Sequence, residues 1–132
     1  MKAQVLLVDD DASVRTSLAR VLETANLRVI QAANGVEALN EISRQRVDLV
    51  LLDLPEKNGW DTLRTLASFH PVLPVVVMTA RSLQLAQAAA IGVGAVMEKP
   101  LDFPKLLRTV DELLSNSSAA RLARSAEWNS AL

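Results

Sequence analysis

The 132-residue chain contains no cysteine. That removes a disulfide framework, a thiolate metal site and a cysteine nucleophile together. It also lacks an apolar run of membrane length. No stretch without a charged side chain exceeds 16 residues; one of that length, Ser82–Met97, is interrupted by two Gln and two Gly, whereas a spanning helix takes about 20 predominantly apolar residues. The first apolar stretch, Val5–Val8, runs directly into three aspartates, which is not the pattern of a secretory leader. Nor does one charge dominate: 14 Lys+Arg face 15 Asp+Glu, for a formal charge of −1. That balance argues against a broad nucleic-acid face or a polybasic membrane patch. The expectation is a cytoplasmic globular chain with one core, since single cores run to roughly 100–150 residues.

What is present is an alternation. Half of the residues are hydrophobic, and they fall into short runs at Val5–Val8, Val29–Ile30, Leu49–Leu52, Val75–Met78 and Ala95–Met97. The first, third and fourth runs are continuously apolar, as strands covered on both faces must be. Helical spacing fills the intervals. Val14, Leu18, Val21, Leu22 and Ala25 share one face, as do Val36, Leu39 and Ile42. Leu63 and Leu66 mark a third helix, with Trp60 at its start, and Leu83–Ala90 a fourth. Phe103, Leu106, Leu107, Val110, Leu113 and Leu114 form the last stripe. Five strand–helix units with short joins predict an open parallel α/β sheet with right-handed crossovers. Five units in so short a chain favour the flavodoxin-like strand order 2-1-3-4-5, with helices on both faces. The domain is expected over residues 1–115. Residues 116–132 read as a C-terminal tail with a short helix over Ala119–Glu127, in which Trp128 could dock.

In such sheets ligands gather outside the carboxyl ends of the strands. The polar residues that follow each run are therefore the candidates: Asp9, Asp10 and Asp11 after the first, Asp53 after the third, Thr79 after the fourth, and Lys99 with Pro100 after the fifth. Clustered carboxylates raise one another's pKa values unless a cation joins them. Hard oxygen ligands with an open side suit Mg²⁺. Carboxylates, a divalent ion, an ammonium and a hydroxyl together make a site for phosphoryl transfer. Asp53, isolated on the central strand, is the carboxylate best placed to attack and form an acyl phosphate.

The four segments Leu6-Leu7-Val8-Asp9-Asp10-Asp11, Asp48-Leu49-Val50-Leu51-Leu52-Asp53, Met78-Thr79-Ala80 and Glu98-Lys99-Pro100-Leu101 resemble, in this order, a response regulator receiver domain of two-component signalling. The resemblance covers about residues 3–115. It implies that Asp53 is the phosphoacceptor, supplied by a sensor histidine kinase or phosphotransfer protein. It implies that Asp9 and Asp10 hold Mg²⁺ with Asp53, that Lys99 pairs with the phosphoryl group, and that Thr79 senses it. Asp11 then starts the first helix, and Lys99–Pro100 resembles the family's cis-proline turn. A module without an output domain would signal through a protein-binding surface. The fourth helical stretch (with Leu83 and Leu85), the fifth strand and the last helix would build that surface, which also serves dimerisation in relatives.

Two departures from the family pattern stand out. Asp53-Leu54-Pro55-Glu56-Lys57-Asn58-Gly59 places proline two and glycine six residues after the phosphoacceptor, two residues short of the usual loop. Pro55 thus takes the place of the metal-binding carbonyl, an acceptor that proline retains; the third helix starting later or unwinding would absorb the deficit. The shortened loop also motivates an alternative, a receiver that works as a phosphorylation-independent interaction module. Val96, three residues before Lys99, replaces an aromatic that would swing with the threonine.

Other motifs carry less. Asp9-x-Asp11 with Ser13 loosely fits a haloacid-dehalogenase-type phosphatase nucleophile, but no later acidic pair accompanies it. Gly92-Val93-Gly94 lacks the third glycine of a dinucleotide fingerprint. His70 reads as a turn residue before Pro71, and Arg81 as a residue at the pocket rim.

Overall fold

Burial along the whole strand sets three strands apart from the rest. β1 (Gln4–Val8), β3 (Leu49–Asp53) and β4 (Val75–Thr79) are buried at every position. β2 (Arg28–Ala32) and β5 (Ala95–Glu98) are only partly covered, because they are the two edges of the sheet. The computed structural model describes residues 2–53, 57–80 and 94–116. Within them the five strands pair in parallel in the order β2-β1-β3-β4-β5, the doubly wound arrangement expected from the hydrophobic runs. The helices among the described residues are α1 (Ala12–Glu23), α2 (Gly35–Arg44), α3 (Lys57–Phe69) and α4 over 103–116.

Successive strand residues point to opposite faces, so each central strand feeds two cores. Val5, Leu7, Leu49, Leu51, Val76 and Met78 join Leu18 and Leu22 of α1 and Leu106 and Val110 of α4 on one face. Leu6, Val8, Val50, Leu52, Val75 and Val77 join Ala38 of α2 and Leu63 and Leu66 of α3 on the other. Each fully buried leucine stabilises the fold by roughly 1.5–3 kcal/mol relative to exposure.

Local chemistry sets the helix ends. Asp11 caps α1, its Oδ1 accepting from the N–H groups of Ser13 at 2.8 Å and Val14 at 3.2 Å. Asn34 caps α2 by accepting from Glu37 N at 3.0 Å, while Glu37 Oε2 accepts from Ala33 N at 2.7 Å. α1 stops at Thr24, and Asn26 adopts a left-handed φ of 62°, a conformation asparagine tolerates better than most residues. Asp102 Oδ1 accepts from Lys105 N at 3.1 Å where α4 begins.

Several expectations are corrected. Ala25 lies beyond the end of α1 and is exposed, because the chain has already turned toward β2. Val36 is 72% exposed; Ala38 takes the sheet-facing position, since Gly35 and Val36 belong to the opening turn of α2. α3 does not start late. It begins at Lys57, so three residues make the whole connection from β3. α4 is described as far as residue 116. The helical stretch over 83–90, and the short helix and Trp128 of the C-terminal tail, lie outside the described residues, as do Arg81 and Gly92-Val93.

Candidate functional site

In this strand order the chain turns to opposite sides after β1 and β3, which opens a crevice at their carboxyl ends. Register carries the candidate residues there. Val8 pairs with Leu52, so Asp9 and Asp53 come next on neighbouring strands. Asp53 pairs with Met78, and Thr79 with Glu98. Lys99 N then donates to Thr79 O at 2.8 Å, tying the start of the β5 turn to the tip of β4. The Lys99–Pro100 peptide is cis. From that position Lys99 Nζ reaches Asp53 Oδ1 at 2.6 Å. One carboxylate oxygen of each of Asp9, Asp10 and Asp53 lies within 4.8 Å of the others. Thr79, at the tip of β4, is completely buried.

Asp9 is held from several sides. Its N–H donates to Ala32 O at 3.2 Å, and its Oδ1 accepts from Asp11 N at 2.9 Å. Its Oδ2 is buried and has no hydrogen-bond partner. Burial pushes the Asp9 carboxyl above the ordinary 3.8, and Asp53 and Asp10 push in the same direction. The Asp11 N–H and the Lys99 ammonium pull it down, without cancelling the rise. The contact between Asp53 Oδ1 and Lys99 is an ion pair without hydrogen-bond alignment, so the charge of the ammonium, one-third exposed at its side chain, compensates that oxygen.

Mg²⁺ fits what these residues offer. An unpartnered buried carboxylate oxygen costs free energy unless a proton or cation meets it. Three convergent hard oxygens with one member, Asp10, exposed to solvent leave room for the waters that Mg²⁺ retains.

The candidates from the four sequence segments therefore come together, with one division of labour: Asp11 turns away to cap α1 and takes no place in the carboxylate cluster. That also removes the second carboxylate of the phosphatase-like Asp9-x-Asp11 pattern. Pro55 lies outside the described residues. Val96 packs among the α2 and α3 core residues, and His70, whose N–H donates to Leu66 O at 2.8 Å, ends α3. One residue escaped the sequence reading. Arg15 Nη1 donates to the Asp9 backbone oxygen at 2.6 Å. The signal was a cation placed four residues after Asp11, near the helix N-terminus, where positive charge is disfavoured.

The family model of the response regulator receiver domain matches residues 5–111. The chain belongs to that family. This receiver domain is similar to the transcriptional regulatory protein ZraR of Klebsiella oxytoca, with 38% identity over 120 residues, covering 88% of the chain and 27% of that protein. It is similar also to the response regulator MprA of Mycobacterium sp. strain KMS, with 38% identity over 122 residues, covering 89% of the chain and 53% of that protein. The chain thus spans about half or less of the length of these relatives. Among solved structures, a CheY-like response regulator receiver domain protein from Methanospirillum hungatei JF-1 superposes with a TM-score of 0.82 at 27% identity, covering 91% of this chain and 99% of that one. Receiver domains are signalling domains of two-component systems. No helix among the described residues is long and apolar enough to cross a membrane.

Proposed function

We propose that this receiver domain accepts a phosphoryl group on Asp53 in the cytoplasm and signals through a protein-binding surface that responds to it. The donor is a phosphohistidine on a sensor histidine kinase or phosphotransfer protein. An Asp53 oxygen attacks phosphorus, a P–O bond forms, the P–N bond breaks, and its electron pair leaves with the imidazole, which takes up a proton. Asp9, Asp10 and Asp53 would hold Mg²⁺, and the Pro55 carbonyl would be the further ligand that the family pattern implies. When bound, the ion neutralises charge between these carboxylates and the phosphoryl oxygens. Lys99 passes from the Asp53 carboxylate to the phosphoryl group, and the Thr79 hydroxyl hydrogen-bonds to it. The added charge of about −1.5 to −2 biases the surface that a downstream protein reads. The chain is not a turnover enzyme in this reading; it takes part only in its own phosphorylation and dephosphorylation.

The observation that carries the proposal is the buried Asp53, paired with Lys99 at 2.6 Å beside an Asp9 oxygen that has no partner. Incubation with Mg²⁺ and a small phosphodonor such as acetyl phosphate is expected to add one phosphoryl group by mass spectrometry. Asp53→Asn and Mg²⁺ chelation should each abolish the addition. Uptake that persists in Asp53→Asn would sink the assignment.

The three-residue connection between β3 and α3 favours a second reading, a receiver that binds its partner without phosphorylation. It predicts no mass gain in the wild type and partner binding that survives Asp53→Ala.

A further inference from the structure

We infer that Arg15 is a positioning residue for the metal site, setting the turn that brings Asp9 and Asp10 together with Asp53; this rests on the Mg²⁺ reading above. Asp9 uses its N–H on Ala32 O, its Oδ1 on Asp11 N and its backbone oxygen on Arg15 Nη1. Only Oδ2 is left without a partner, and it is buried, on a residue that belongs to the carboxylate cluster. Of the three holds, two are made by backbone groups that substitution leaves in place. The third is the guanidinium of Arg15, which fixes the plane of the Asp9–Asp10 peptide and so the direction in which Asp10 leaves the strand.

The choice of acceptor is informative. Asp9, Asp10 and Asp11 lie just before α1, yet among the described residues Arg15 forms no ion pair with any of them. Arg15, a half-buried residue, donates instead to a carbonyl, a short charge-assisted bond. Its charge sits on the fourth residue of α1, where the helix dipole opposes a cation. An arginine kept there for charge alone works against the helix and against a nearby cation. One kept to hold a peptide plane does not.

The two roles predict opposite signs. Were Arg15 only a nearby positive charge, Arg15→Met would tighten Mg²⁺ binding by removing repulsion. As a positioning residue its loss weakens binding, by about tenfold, the lower end of what outer-sphere partners of metal ligands contribute. The test is calorimetric titration of Mg²⁺ into wild type, Arg15→Met, Arg15→Gln and Arg15→Lys, with each melting temperature recorded without Mg²⁺. The expected result is weaker binding in Met and Gln, partial recovery in Lys, and melting temperatures that stay together. Unchanged or tighter binding in Arg15→Met overturns the inference. So does an equal loss of affinity and of Mg²⁺-free stability in all three variants, which marks a merely structural residue. Absence of Mg²⁺ binding by the wild type overturns the metal reading itself, and this inference with it.

Discussion

Gly35 opens α2 against α3, and its reason for being glycine is space. A Cβ built there falls 2.0 Å from Thr62 Oγ1 and 3.2 Å from Thr62 Cβ. Thr62 is buried, so its side chain has little room to retreat. Gly35→Ala is therefore expected to destabilise the domain by about 1–3 kcal/mol, the range for overpacking a core. Asn34 still caps the helix in that variant, so the loss belongs to the contact and not to the cap. Urea denaturation of Gly35→Ala, Thr62→Ala and the double variant checks this. The pair should be non-additive by more than about 0.5 kcal/mol, because removing Oγ1 relieves the closest clash. Simple additivity would refute the steric account. The same scale explains why Arg15 was hard to see in advance: its target is a backbone oxygen, and no residue type announces that acceptor.

At the level of elements, α1 separates two kinds of aspartate that look alike in the run Asp9-Asp10-Asp11. Asp11 places its Oδ1 on the Ser13 and Val14 amides, while its own N–H serves Asp9. Asp11→Ala removes the cap but keeps that N–H. It should cost about 0.5–2 kcal/mol of stability and leave Mg²⁺ affinity nearly unchanged, whereas Asp10→Ala should do the reverse. Denaturation curves and calorimetry on the two variants check the division, and a large drop in affinity for Asp11→Ala would overturn it. The elements themselves differ in how readable they are. β1, β3 and β4 stand out as unbroken apolar runs because both of their faces are covered. β2 offers only Val29 and Ile30 because it is an edge with one side in solvent. Val36 misleads for the opposite reason, an apolar residue left at 72% exposure in a helix whose burial is set by the small Ala38. The start of α3 at Lys57 depends on a three-residue join, whose path no periodicity encodes.

For the whole molecule, the strand order that builds two cores also forces carboxylates together, and the fold bears the consequence in its dependence on pH. Asp9 has a pKa raised above 3.8 by burial first, then by Asp53 and Asp10. A carboxyl whose folded pKa exceeds its unfolded value favours the folded state below 3.8, and that contribution is lost as pH rises through the raised value. At neutral pH without metal, the cluster is therefore a source of instability that a cation relieves. Ligand linkage sets the size: Mg²⁺ at 100 times its Kd adds about 2.7 kcal/mol, a rise of several degrees in Tm for a domain of this size. Protons compete with the metal for the same oxygens, so the Mg²⁺-induced rise should shrink as pH falls through the raised Asp9 value. Asp9→Asn removes the charge while keeping the shape. It should be more stable than wild type at neutral pH without Mg²⁺, and should gain almost nothing when Mg²⁺ is added. Scanning calorimetry on both proteins at several pH values, with and without Mg²⁺, measures this. A variant no more stable than wild type in the metal-free state would mean that Asp9 is comfortable as an anion where it lies, and the convergence of strand tips would lose its electrostatic meaning.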